Sequence, residues 1–89
     1  MVTASITLCN QLGLHARAAS KFANTANAYC SEIKVHCNGK TIDGKSILAL
    51  MLLAASNGTE LQLTTSGDDE DTAMEALLDL ITNKFGEES

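Results

Sequence analysis

The 89-residue sequence predicts a two-layer α/β (α+β) open-faced sandwich, with three helices on one face of a four-stranded sheet. Three observations carry that prediction. The apolar periodicity switches between about 2 and about 3.6 residues in the order βαββαβα. Each helical stretch has an apolar stripe and each strand an apolar face, so the two kinds of element must cover one another. The chain is also long enough for one modest core, and a single domain over residues 1–89 is expected.

Val2, Ala4, Ile6 and Leu8 alternate with Thr3, Ser5 and Thr7, the pattern of a half-buried strand. Asn10 to Gly13 reads as a loop. From Ala16 the period changes: Ala19, Phe22, Ala23 and Ala26 share a face, predicting a helix that ends near Ala28. Glu32 to Cys37 alternates again, with Ile33, Val35 and Cys37 inward and His36 on the outer face. Asn38-Gly39 is a hairpin signal, and Lys40 to Asp43 returns from it as a short third strand.

Ser46 is suited to cap a helix over Ile47 to Ala55, closed by Asn57-Gly58. That helix is apolar almost all round. A helix lying on an open sheet buries only part of its circumference, so some of these side chains are expected to stay accessible as a docking patch. Glu60 to Thr65 forms the fourth strand, with Leu61 and Leu63 inward. Asp68, Asp69, Glu70 and Asp71 then complement the dipole at the start of the last helix. Ala73, Leu77, Leu78, Ile81 and Phe85 are its predicted buried stripe, and Gly86 its stop.

The net charge of −5 is unevenly spread: residues 68–89 carry eight acids and one base, residues 1–67 five bases and three acids. No basic patch is dense enough to neutralise many phosphates, which argues against nucleic-acid binding. No apolar run is long enough to span a membrane, and Met1-Val-Thr-Ala-Ser lacks the features of a signal peptide. A cytoplasmic protein without membrane insertion is expected. Cys9, Cys30 and Cys37 are odd in number and form no CxxC pair, so three reduced, mostly buried thiols are expected.

The stretch Gly13-Leu14-His15-Ala16-Arg17-Ala18-Ala19 lies where strand pattern gives way to helix. His15 stands in the N-cap place, and Arg17 follows in the first turn, opposing the dipole. A lone histidine at a helix start is usually a partly exposed side chain without chemistry. Beside free backbone N–H groups and an arginine, however, it forms a candidate anion site. Arg17, Lys21 and Lys45 are expected near it, a setting suited to a transient negative group. The imidazole is a usable nucleophile near neutral pH, and a phosphoryl group on it would carry about two negative charges.

Asn10-Gln-Leu-Gly-Leu-His-Ala-Arg resembles the active-site stretch of the HPr family, the histidine-containing phosphocarriers of the bacterial phosphoenolpyruvate-dependent phosphotransferase system. Gly44-Lys45-Ser46-Ile47-Leu48 resembles the family's regulatory-serine segment, at matching spacing. The resemblance covers nearly the whole chain. It implies an antiparallel sheet in the order 1-4-2-3, where the pattern alone leaves a ferredoxin-like order open. It also implies that His15 accepts phosphate at Nδ1 from phospho-Enzyme I and passes it to an EIIA-type protein, Arg17 assisting. The implied docking surface is Ala16, Ser20, Lys21, Ile47, Leu48 and Met51. Ser46 would be phosphorylated by a Ser-specific HPr kinase/phosphorylase. A monomeric phosphocarrier rather than an enzyme is expected.

Ala18 departs from the commonest family pattern, which has Pro there. Ala keeps the helix and adds an N–H, and the Ala-Arg-Ala form resembles the nitrogen-related branch, NPr. Two other classes compete with the phosphocarrier reading. A metal-binding module would usually place a CxxC pair in the first loop, which has none. A regulatory protein-binding domain without phosphotransfer would use the apolar second helix alone. No metal-ligand cluster, Gly-rich nucleotide loop or Ser-His-Asp arrangement is visible, and no cofactor is expected.

Overall fold

The computed structural model describes residues 1–87. Strands β1 (Val2–Thr7), β2 (Glu32–Cys37), β3 (Lys40–Asp43) and β4 (Glu60–Ser66) form one sheet in the order β1-β4-β2-β3. All three pairings are antiparallel. The register places Ala4 opposite Leu63 and Val35 opposite Leu63 on its other side, so one apolar row crosses the central strands. Ile33, Val35, Cys37, Leu61 and Leu63 are buried beneath the helices, while Glu32, His36, Glu60 and Gln62 face away. The two-residue periodicity therefore sets which face is covered.

Helices α1 (Ala16–Asn27), α2 (Ile47–Leu52) and α3 (Glu70–Thr82) supply the second layer. Ala18, Ala19, Ala23 and Ala26 join Phe22 in the buried stripe of α1. Their short side chains let α1 lie close to the sheet, and Phe22 fills the space beneath. From α3 come Ala73, Met74, Leu77 and Ile81. Phe85 is buried too, but from a separate tight turn, Lys84–Gly86. Each large apolar side chain so buried contributes roughly 1.5–3 kcal/mol relative to exposure.

Four expectations need correction. Helix α2 ends at Leu52 rather than Ala55, because Ala54 adopts φ +52° and turns the chain away. Asn57-Gly58 accordingly lies in a turn leading to β4, where Thr59 N–H bonds Ser56 O, instead of capping the helix. The thiols are not mostly buried, since Cys9 and Cys30 are exposed and only Cys37 is covered. Leu78 is half-buried at the margin of the α3 stripe and Met74 takes the inner place.

Candidate functional site

The loop between β1 and α1 is fastened onto the segment that follows α2. Leu14 N–H donates to Ala55 O at 2.9 Å, and Asn57 Nδ2 donates to Asn10 O at 3.0 Å. The approach is close at Gly13, which has φ +64°. A Cβ there would lie 2.4 Å from Ala55 O and 2.7 Å from Ser56 Cα, so only glycine fits. Asn10 is fully buried, and its Nδ2 donates to Gly13 O at 2.8 Å. The backbone leading into α1 is thus fixed from two sides.

His15 occupies the N-cap with extended backbone, φ −74° and ψ 177°. Its carbonyl accepts from Ala19 N–H at 2.8 Å, and its ring Nδ1 accepts from Arg17 N–H at 3.3 Å. The imidazole therefore does what a Ser or Asp side chain does at other helix starts. The first turn of α1 contains no acidic residue. The negative charge that its dipole favours arrives from the far end of the chain, as Glu87.

Glu87 is aimed by an unusual backbone. Lys84, Phe85 and Gly86 take φ values of +56°, +56° and +78° in succession. Left-handed geometry costs a non-glycine residue roughly 1–2 kcal/mol. The burial of Phe85 and a 2.6 Å bond from Lys21 Nζ to Phe85 O oppose that cost. One carboxylate oxygen, Oε1, accepts from Asn10 Nδ2 at 2.9 Å, and the other, Oε2, pairs with His15 Nε2. The side chains of His15 and Glu87 are 26% and 12% exposed. The Asn10 amide holds the Glu87 carboxyl below the usual carboxylate range, helped by His15 and the Arg17 charge. Glu87 is thus an anion at neutral pH.

The other sequence-derived candidates are only partly gathered here. Arg17 and Ala16 are exposed beside the ring, and Ser20 and Lys21 are half-buried on the next turn. Helix α2 leaves Ile47, Leu48, Met51 and Leu52 exposed while Leu50 is buried, so the expectation of accessible apolar side chains holds. Helices α1 and α2 pack with opposite directions. The Leu14–Ala55 bond joins one end, and Asn27 Nδ2 donating to Lys45 O at 3.0 Å joins the other.

Ser46 therefore lies at the end of the pair away from His15, across a helix about 18 Å long. Its Oγ accepts from Ala49 N–H at 3.1 Å, the expected cap. Lys45 is not near the histidine, contrary to expectation: its Nζ donates to Tyr29 O, beyond the end of α1. Lys21 is near, but its ammonium is committed to Phe85 O. Asn10 and Glu87 were not singled out by the sequence. Among the described residues no group of three His, Cys, Asp or Glu side chains could hold a metal ion.

Residues 2–83 match the family model described as PTS HPr component phosphorylation site. The chain belongs to the HPr phosphocarrier family. A phosphocarrier protein HPr of Neisseria meningitidis is 52% identical, with 98% of both chains covered. A phosphocarrier protein NPr of Shewanella violacea is 39% identical over 94% of this chain and 92% of its own. The crystal structure of HPr from Thermoanaerobacter tengcongensis superposes with a TM-score of 0.96 at 44% identity, covering both chains fully. The sheet order implied by the resemblance is the one observed. HPr proteins carry phosphate transiently and are not catalytic enzymes, which makes a carrier role in the phosphotransferase system the function of this family. No described helix is long and apolar enough to cross a membrane.

Proposed function

We propose that the chain accepts a phosphoryl group on His15 Nδ1 from phosphorylated Enzyme I and delivers it to a histidine of an EIIA-type protein. The observation that supports this most strongly is the environment of Nδ1. It points to the first turn of α1 and already accepts from Arg17 N–H at 3.3 Å. A phosphoryl group on that nitrogen would meet backbone donors and the positive end of the helix dipole. The exposed Arg17 side chain is free to follow the charge as it moves between partners. Transfer of this kind needs position and charge stabilisation more than acid–base machinery.

The docking surface in this reading runs from Ala16 and Ser20 across Lys21 to Ile47, Leu48 and Met51. It combines the first turns of α1, where Arg17 is exposed, with apolar side chains that the fold leaves uncovered. A Ser-specific kinase acting on Ser46 would add charge beside that apolar patch. The chain works as a monomer in the cytoplasm, which light scattering and fractionation check.

Incubation with phosphoenolpyruvate and Enzyme I tests the proposal. A mass increase of one phosphate, labile to acid and stable to base, is expected for the wild type. His15→Ala should abolish it while circular dichroism shows the native fold. Normal phosphate uptake by that variant would sink the assignment.

A further inference from the structure

We propose that Glu87 is a positioning residue for His15, fixing the ring as the Nε2–H tautomer so that Nδ1 presents its lone pair to the incoming phosphorus. The inference rests on the reading of His15 as the phosphoryl acceptor and names a residue on which that role depends. A carboxylate has only acceptors to offer. A neutral imidazole paired with it through Nε2 must carry its hydrogen there. The second ring nitrogen is then unprotonated, in agreement with the bond it accepts from Arg17 N–H. Both ring nitrogens are thereby assigned by different parts of the chain, one by the first turn of α1 and one by the residue beyond the last turn.

The arrangement is built rather than incidental. Two non-glycine residues, Lys84 and Phe85, hold left-handed backbone to bring Glu87 to this place. Strain of that kind persists only where surrounding contacts impose it. Those contacts are the burial of Phe85 and the bond from Lys21. Asn10, fully buried, donates to the second carboxylate oxygen, so the carboxylate is itself oriented. A reactive histidine with an oriented acid behind it is a recurrent way to fix a tautomer and favour positive charge on the ring.

The chemistry balances without a further reactant. The Nδ1 lone pair forms the new N–P bond as the P–N bond to the donor protein's phosphohistidine breaks. The electron pair of that bond returns to the donor nitrogen. The His15 ring becomes cationic as the bond forms, and its proton stays on Nε2 against Glu87. The carboxylate neutralises the developing charge, and in the reverse sense that charge helps the ring to leave when phosphate moves on.

Glu87→Gln is the informative variant. Asn10 Nδ2 requires an acceptor, so the amide oxygen turns toward it and the amide NH2 faces His15 Nε2. Nε2 must then accept, and the ring hydrogen moves to Nδ1, giving up the long 3.3 Å bond from Arg17 N–H. Long-range proton–nitrogen spectra of ring-labelled protein, taken where the ring is neutral, read this directly. The wild type should show Nδ1 unprotonated, and Glu87→Gln should show hydrogen on Nδ1. Phosphate acceptance from Enzyme I should fall on the order of tenfold in kcat with KM little changed, the low end of what such partners contribute. Glu87→Ala should show a mixed tautomer and a smaller fall. The same tautomer in wild type and Glu87→Gln, with wild-type phosphorylation intact, would overturn the role of Glu87 alone. A wild type that takes no phosphate would overturn the phosphocarrier reading and this role with it.

Discussion

Two carboxylates hold the two ends of the α1–α3 pair, and they hold different things. At the far end, Asp69 accepts from Cys30 N–H at 2.8 Å, Ser31 N–H at 2.9 Å and the Ser31 hydroxyl. At the other end, Glu87 accepts from Asn10 and pairs with His15. Both carboxyls are held below their usual range, Asp69 by Ser31 first and then Cys30, Glu87 by Asn10 first. Asp69 fastens mainly backbone, so its work is finished when the chain has folded. Glu87 fastens a side chain that has a second nitrogen to spare. The same chemistry is structural at one end and, in our reading, functional at the other. Only the partner decides which.

If that division is sound, changes at the His15 end should move transfer and leave stability nearly alone. Beyond loss of His15 itself, the largest effect is expected for Arg17→Ala. The side chain is exposed, so little packing is lost. Its backbone N–H, which bonds His15 Nδ1, is retained. The loss is of charge stabilisation at the transferring group, which acts mainly in the transition state. Single-turnover transfer should slow by roughly 10–100-fold, while partner titration shows modest weakening. An unchanged rate at saturating partner would remove the side chain from the mechanism.

The converse is expected of Asp69→Asn. It should lower the melting temperature by several degrees while leaving phosphate acceptance at the wild-type rate. An amide keeps one acceptor where three donors converge, and the backbone of Cys30 and Ser31 loses partners. The deficit should also depend on pH. The folded-state pKa of Asp69 is depressed, so the native state binds fewer protons than the unfolded chain. Its stabilisation is full above the ordinary Asp value and fades as pH falls through the depressed one. Wild type and Asp69→Asn should therefore converge in melting temperature on acidification. Slowed transfer in Asp69→Asn would break the separation of the two ends.

What could be read from the chain follows the same line between local and distant contacts. The strands were legible because Ile33-x-Val35-x-Cys37 and Leu61-x-Leu63 repeat the period of the sheet within a few residues. His15 and Arg17 were legible because they touch across two positions. The end of α2 is not legible locally, since the apolar run continues past Leu52 and no signal marks the turn at Ala54. That turn serves the bond from Leu14 to Ala55, a contact made across the fold. Glu87 was invisible for the same reason: 72 positions separate it from His15, and its neighbours make it look like one more charge on a solvated acidic stretch. Lys45 lies far from the histidine because α2 runs opposite to α1, a direction that no local pattern encodes.

Ser46 sharpens the comparison most finely, because it sits at the end remote from His15 and yet the resemblance gives it a regulatory part. Its present work is to cap α2, worth about 1 kcal/mol, through the bond from Ala49 N–H. Ser46→Asp keeps a capping oxygen and adds a negative charge near the start of the helix, so the melting temperature should stay close to wild type. The new charge lies next to Ile47 and Leu48, which are 40% and 67% exposed in the free protein. Desolvating it within an apolar contact is costly, and an acidic partner surface would repel it. With α1 between Ser46 and the ring, the chemistry at His15 should be untouched. The expected result is a KM for acceptance from Enzyme I raised by up to about tenfold, a kcat unchanged at saturation, and a defect that shrinks as salt is added. Equal KM values at low salt would leave Ser46 only a cap. A lowered kcat with unchanged KM would mean that the far end reaches the ring after all, and the division between the two carboxylate ends would have to be abandoned.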